Sequence, residues 1–128
     1  MTVAFWCVLI VILLPLVCTS IAKFSSVNFG ARQNHHPRDF LDNLEGLPRR
    51  AHAAQQNSFE AIPGFAAAVI IAHVAGVAQL VTIDVLAVLF VTSRLLYIIF
   101  YLADLAALRS LVWFIGLALV VALFGVSV

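Results

Sequence analysis

The sequence predicts an all-α membrane protein, a bundle of four transmembrane helices with little mass outside the bilayer. Three observations predict it. Of 128 residues, 64% are hydrophobic and only 10% charged, far from the roughly 25% charged content of a soluble domain. The mean hydropathy is +1.12. Four stretches are also long and apolar enough to approach the roughly 20 residues that a spanning helix requires. The length suits one domain, expected over residues 1–128 with helices at about 3–22, 49–76, 83–104 and 109–127 and a polar loop at 23–48. The net charge of +1 leaves no nucleic-acid footprint.

The first segment, Val3 to Ala22, carries no charge, and a membrane helix tolerates its Pro15. A cleaved signal peptide is the rival reading, because Ser20-Ile21-Ala22 resembles a cleavage site. Against it, no Lys or Arg precedes the run, and the run is long for a leader; a retained helix is favoured. Cys7 and Cys18 lie in this segment about 16 Å apart along a helix, too far for a disulfide. They read as small apolar residues.

Residues 23–48 form the one extended polar loop, with Lys23, Arg32, Arg38, Asp39, Asp42 and Glu45 among prolines and glycines. A short helix is expected near Asp39 to Leu44. His35-His36 is a poor metal site alone, since no third ligand is evident.

The second helix is expected to start at Pro48 or Arg49, Pro being well placed at a helix start. Its first turns are polar (Arg49, Arg50, His52, Gln55, Gln56, Asn57, Glu60), an apolar run follows, and Pro63 marks an expected kink. Gly64, Ala68, Ala72 and Gly76 recur every four residues, a small-residue stripe suited to close helix approach in lipid. A turn follows at Gly76 to Thr82, with Asp84 near the positive end of the third helix. His73 and Gln79 read as helix–helix hydrogen-bond partners. The fourth helix begins near Arg109, with Trp113 at interface depth.

The cations cluster around the first and third loops, whereas the second loop has none. The positive-inside rule then puts loops one and three in the cytoplasm and both termini outside.

Two charged clusters stand out, because charge in a membrane segment is costly and faces a bundle interior or cavity. On helix two, Arg50, Asn57 and Glu60 fall within about 80° of arc. An interfacial face wetted by water and headgroups is the plainer reading of its outer residues, Arg49, Arg50 and His52. On helix three, Arg94, Tyr97, Tyr101 and Asp104 also fall within about 80°. Arg94 is too deep to snorkel easily. Glu60 is the expected counter-charge, in a pair that either serves a ligand or only locks the bundle. No nucleophile–base triad, phosphate loop or CxxC is present.

Pro48-Arg49-Arg50-Ala51-His52, then Gln56-Asn57-Ser58-Phe59-Glu60-Ala61-Ile62-Pro63, resembles the second-helix signature of the MAPEG family, the membrane-associated proteins in eicosanoid and glutathione metabolism. Arg94-Leu95-Leu96-Tyr97, Tyr101, Leu108-Arg109-Ser110 and Trp113 resemble its second half, in a pattern nearer bacterial members. The resemblance implies a homotrimer, expected in a bacterial inner (plasma) membrane and in contact with its lipids. Glutathione would bind as co-substrate near the cytoplasmic side, and a lipophilic small molecule would be the second substrate. It implies that Asn57 and Glu60 hold the glutathione backbone, that Arg50 and Arg94 add positive charge, and that Tyr97 and Tyr101 line the pocket. Arg109, with Ser110, would stabilise the thiolate. Two positions depart from the family pattern, Ala53 where many members have Arg and Ala61 where many have Tyr or Asn. The implied activity is glutathione transfer to lipophilic electrophiles, or reduction of hydroperoxides. A non-catalytic lipid-binding or scaffold protein of the same fold is the alternative. A channel is disfavoured, because helices one and four lack polar stripes.

Overall fold

The computed structural model describes residues 1–128. Its helices are α1 (Val3–Phe24), α2 (Pro37–Asp42), α3 (Gly46–Ala75), α4 (Leu80–Leu102) and α5 (Ala106–Gly125), with a 3-10 turn at Gln33–His35. Helices α1, α3, α4 and α5 are each long and apolar enough to cross a membrane. The protein is an integral, multi-pass, all-α membrane protein.

Helix α3 starts at Gly46, a little before the expected position. Gly46 has φ +65°, a left-handed conformation that glycine adopts freely, and nothing stands where a Cβ would go. The 30 residues of α3 span about 45 Å, against a bilayer core of about 30 Å. Its polar first turns therefore project beyond the hydrocarbon. Gly76, left-handed at φ +67°, ends the helix. Pro63 lies within α3, which continues as one helix through it.

Helices α3 and α4 form the central pair, with α1 packed on both from one side and α5 packed on both from the other. The α1–α3 seam is built from small residues. Ala4, Cys7, Cys18 and Ala22 of α1 and Ala51, Ala54, Ala68 and Ala72 of α3 are buried, and both cysteines are free thiols. On α3 the buried positions run 51, 54, 58, 65, 68, 69 and 72, and apart from Val69 they keep the three-four spacing of a left-handed helix seam. The expected four-residue stripe is therefore half right. Ala68 and Ala72 lie in the seam, whereas Gly64 and Gly76 are exposed. A repeat of four advances about 40° per step around a helix, so Gly64 and Gly76 diverge by about 120° and cannot share one contact.

Asp84 also serves a different helix from the expected one. It sits in the second turn of α4, and its Oδ1 accepts from the backbone N–H of Ala4 at 2.7 Å. It thus caps the N-terminus of α1, which has no side-chain cap of its own. Beside it, the Thr2 hydroxyl and His73 Nε2 share a hydrogen bond of 2.8 Å, and His73 Nδ1 bonds the Val69 carbonyl at 2.8 Å. His73 is the helix–helix partner that its position suggested. Gln79 acts through its backbone, its carbonyl accepting from Thr82 and Ile83 in the first turn of α4.

The α4–α5 turn determines where Arg109 falls. The Leu105 N–H bonds the Phe100 carbonyl at 2.9 Å and the Asp104 N–H bonds the Tyr101 carbonyl at 3.1 Å, the two bonds of a Schellman C-cap. Asp104 fills the left-handed position at φ 61°, where glycine is usual. α5 then packs on its neighbours through Val112, Gly116 and Leu123 and leaves most of its apolar surface uncovered.

Candidate functional site

Helices α3, α4 and α5 bound two adjoining clefts. The first, about 200 Å³, has Asn57, Glu60 and Arg94 at its polar end and Gly64, Phe65, Phe90, Gly116, Leu117 and Val120 along its apolar walls. The second, about 230 Å³, is lined by Asn57, Tyr97, Tyr101, Arg109, Ser110, Trp113 and Phe114. Asn57 and Trp113 belong to both. Of the eight residues singled out in the sequence, seven converge here.

Arg50 is the eighth, and it lies outside both clefts. Its Nε donates to the Leu102 carbonyl at 3.1 Å. That carbonyl belongs to the last turn of α4, where acceptors lack helical partners. Arg50 thus joins α3 to the end of α4.

Arg94 is buried at 3% exposure. The expected ion pair with Glu60 is replaced by a relay. Arg94 Nη2 donates to Asn57 Oδ1 at 2.6 Å, and Asn57 Nδ2 donates to Glu60 Oε2 at 3.2 Å. The amide orientation follows from chemistry, since Arg can only donate and a carboxylate only accept. Glu60 itself is exposed, which leaves its carboxylate open to a ligand. Arg94 Nε is buried with no partner, an uncompensated donor of a kind that is rare in folded proteins.

The aromatic residues hold the cations. The Arg94 guanidinium lies over the Tyr97 ring at 4.3 Å, and the Arg109 guanidinium lies over the Tyr101 ring at the same distance. Tyr97 and Tyr101 meet edge to face, their centroids 5.6 Å apart. Each contact follows from local geometry. Arg94 and Tyr97 are three apart on one helix face, and the Schellman turn brings Arg109 back beside the last turn of α4.

Of the apolar walls, the sequence singled out Gly64 but not Phe65, Phe90 or Gly116. Phe65 and Phe90 stack at 4.1 Å, and 11° separates their planes. Gly116 faces Ser93 so closely that an added Cβ would lie 3.2 Å from its Oγ. A glycine inside the fourth helix was the available signal, since it marks close helix approach in lipid. Trp113, expected as an interface marker, is the shared wall of the two clefts.

The apolar walls suit a lipophilic compound, and the two clefts together offer one carboxylate and two guanidinium groups to a charged one. No curated protein and no solved structure matches the chain. The model of the MAPEG family matches residues 3–128, essentially the whole sequence. With four membrane-length helices and a family match over that extent, the chain belongs to the MAPEG family.

Proposed function

We propose that the protein is a glutathione-dependent membrane transferase or peroxidase acting on lipophilic electrophiles or hydroperoxides. The observation that carries this reading is the charge pattern of the two adjoining clefts. Glutathione bears two carboxylates, one ammonium group and a thiol. The clefts present the exposed Glu60 carboxylate beside Asn57, the Arg94 and Arg109 guanidinium groups, and an apolar arm. Glu60 would take the ammonium group and Arg94 a carboxylate, with Ser110 beside the thiol. Ala53 stands where many family members have Arg, and Arg94 would provide a cation from the neighbouring helix.

Arg109 would favour the thiolate. A free thiol has a pKa near 8.5, and a nearby guanidinium stabilises the anion, which is the nucleophile. On conjugation the thiol proton goes to solvent, the sulfur lone pair forms a C–S bond, and the leaving group departs with its bonding pair. On hydroperoxide reduction two thiols are oxidised to a disulfide, and the peroxide becomes an alcohol and water.

Three further features belong to the proposal: a homotrimer, a bacterial plasma membrane, and both termini outside the cytoplasm. The exposed apolar face of α5 leaves room for a partner subunit or lipid. Cysteine-accessibility labelling at position 128 tests the orientation, and labelling from the cytoplasmic side contradicts it. The apolar arm beside Phe65 and Phe90 favours one second reading, a non-catalytic lipid-binding protein. Calorimetric titration of the detergent-purified protein with glutathione separates the two. Saturable binding supports the first reading, and its absence at millimolar glutathione leaves the second.

A further inference from the structure

Arg109 is held in an unusual way. It forms no ion pair and its side chain makes no hydrogen bond; its one cation–π contact is with the Tyr101 ring face. Asp104, at the nearby turn, does not pair with it. A guanidinium carries five N–H donors in its plane and can also stack by its face. A carboxylate partner would use two of those donors and offset the charge. A ring beneath the plane uses none and leaves the charge whole.

The ring is itself fixed. Tyr101 packs against the buried cluster of Leu14, Cys18, Ala54 and Ile98, and meets Tyr97 edge to face. Its hydroxyl makes no hydrogen bond within the chain, so the aromatic face and not the hydroxyl meets the guanidinium. Arg94, Tyr97, Tyr101 and Arg109 form one run of contacts linking the two clefts, with a cation at each end and the two rings edge to face between them.

We propose that Tyr101 is a positioning residue, whose ring face holds the Arg109 guanidinium in place while leaving its N–H donors and full charge to an incoming anion. The proposal rests on the reading above in which Arg109 stabilises the glutathione thiolate. It assigns Tyr101 a role through Arg109 and not as a polar contact to glutathione.

The test uses the full-length protein in detergent or lipid with glutathione, comparing wild type with Tyr101→Leu, Tyr101→Phe and Arg109→Ala. Ultraviolet absorbance of the bound thiolate is followed against pH, together with turnover of a generic electrophile. Tyr101→Leu should raise the apparent thiol pKa and lower turnover about 2- to 30-fold, the size of one cation–π interaction. Tyr101→Phe should recover most of that loss, because it keeps the ring. A Phe variant as impaired as the Leu variant would show that the hydroxyl acts, and would overturn the proposal. If Arg109→Ala abolished the thiolate signal while Tyr101→Leu left it unchanged, positioning would be overturned and the transferase reading would stand. If Arg109→Ala left the signal intact, the reading beneath would fall and the proposal with it. Should Tyr101→Leu fail to fold, Tyr101→Phe and Tyr101→Trp decide. Both keep the ring and must keep the thiol pKa low, and a rise in the Phe variant overturns the proposal.

Discussion

Arg94 reaches Glu60 only through Asn57, which accepts from the guanidinium at 2.6 Å and donates to the carboxylate at 3.2 Å. The buried charge therefore depends on a neutral amide. Asn57→Ala removes the one hydrogen-bond acceptor of a buried guanidinium and should cost about 2–4 kcal/mol. Glu60→Gln removes an exposed carboxylate that does not touch Arg94, so the fold should keep its stability while glutathione binding weakens. Thermal unfolding in detergent alongside glutathione titration checks both. A large stability loss in Glu60→Gln with unchanged affinity would mean that Glu60 serves only to lock the bundle.

Asp84 joins two helices by capping α1 from α4. Asp84→Ala leaves the Ala4 N–H without its acceptor and should destabilise the protein by about 1 kcal/mol, the usual effect of losing a helix cap. Asp84→Asn keeps an oxygen acceptor and should recover most of it. Hydrogen exchange reads the effect locally: the first-turn amides of α1 should lose protection in Asp84→Ala, while those of α5 should not.

Asp104 occupies a left-handed position, where a side chain is strained. Asp104→Gly should stabilise the protein by about 1 kcal/mol, since the Schellman bonds remain and the strain goes. Asp104→Val should destabilise it, because a β-branched residue tolerates that conformation poorly. A shift in melting temperature of opposite sign for the two variants is the expected result.

The seam and the cleft respond differently to added volume. Ala72→Leu overfills a fully buried position between α1 and α3 and should cost about 1–3 kcal/mol. Gly64→Ala meets nothing within 4 Å and should stabilise α3 by up to about 1 kcal/mol through helix propensity. Its methyl group would still narrow the apolar arm that Gly64 lines. Equal effects of the two changes on unfolding would contradict the assignment of the seam.

Helical periodicity reveals which face a residue occupies, and that made most of the site legible. The faces that carry Asn57 with Glu60 and Arg94 with Tyr97 and Tyr101 do face one another in the fold. Periodicity does not reveal depth or the partner across a helix gap. Arg50 shares the face of Asn57, yet it lies nearly two turns away, level with the end of α4, and bonds a carbonyl there. Glu60 and Arg94 are complementary charges, but the sequence could not show that the shorter Asn57 side chain stands between them. A spacing of four is what the small-residue stripe displays in the sequence, whereas the packed seam alternates three and four. Asp104 resembles a fourth member of the Arg94 face. Its role as the left-handed residue of a turn depends on where α4 ends, and helix ends are the least legible feature of an apolar sequence.

In the proposed function, Arg109 stabilises a bound glutathione thiolate. Turnover of a generic electrophile at saturating glutathione, in wild type and in Arg109→Ala, reads that role. Wild type should turn over, and Arg109→Ala should be slower by about 10- to 1,000-fold, the scale of removing one electrostatic stabiliser from a transition state. Arg109→Lys should recover part of the rate, since it keeps the charge without the planar fork. Absent turnover in wild type, or equal turnover in wild type and Arg109→Ala, would rule that role out.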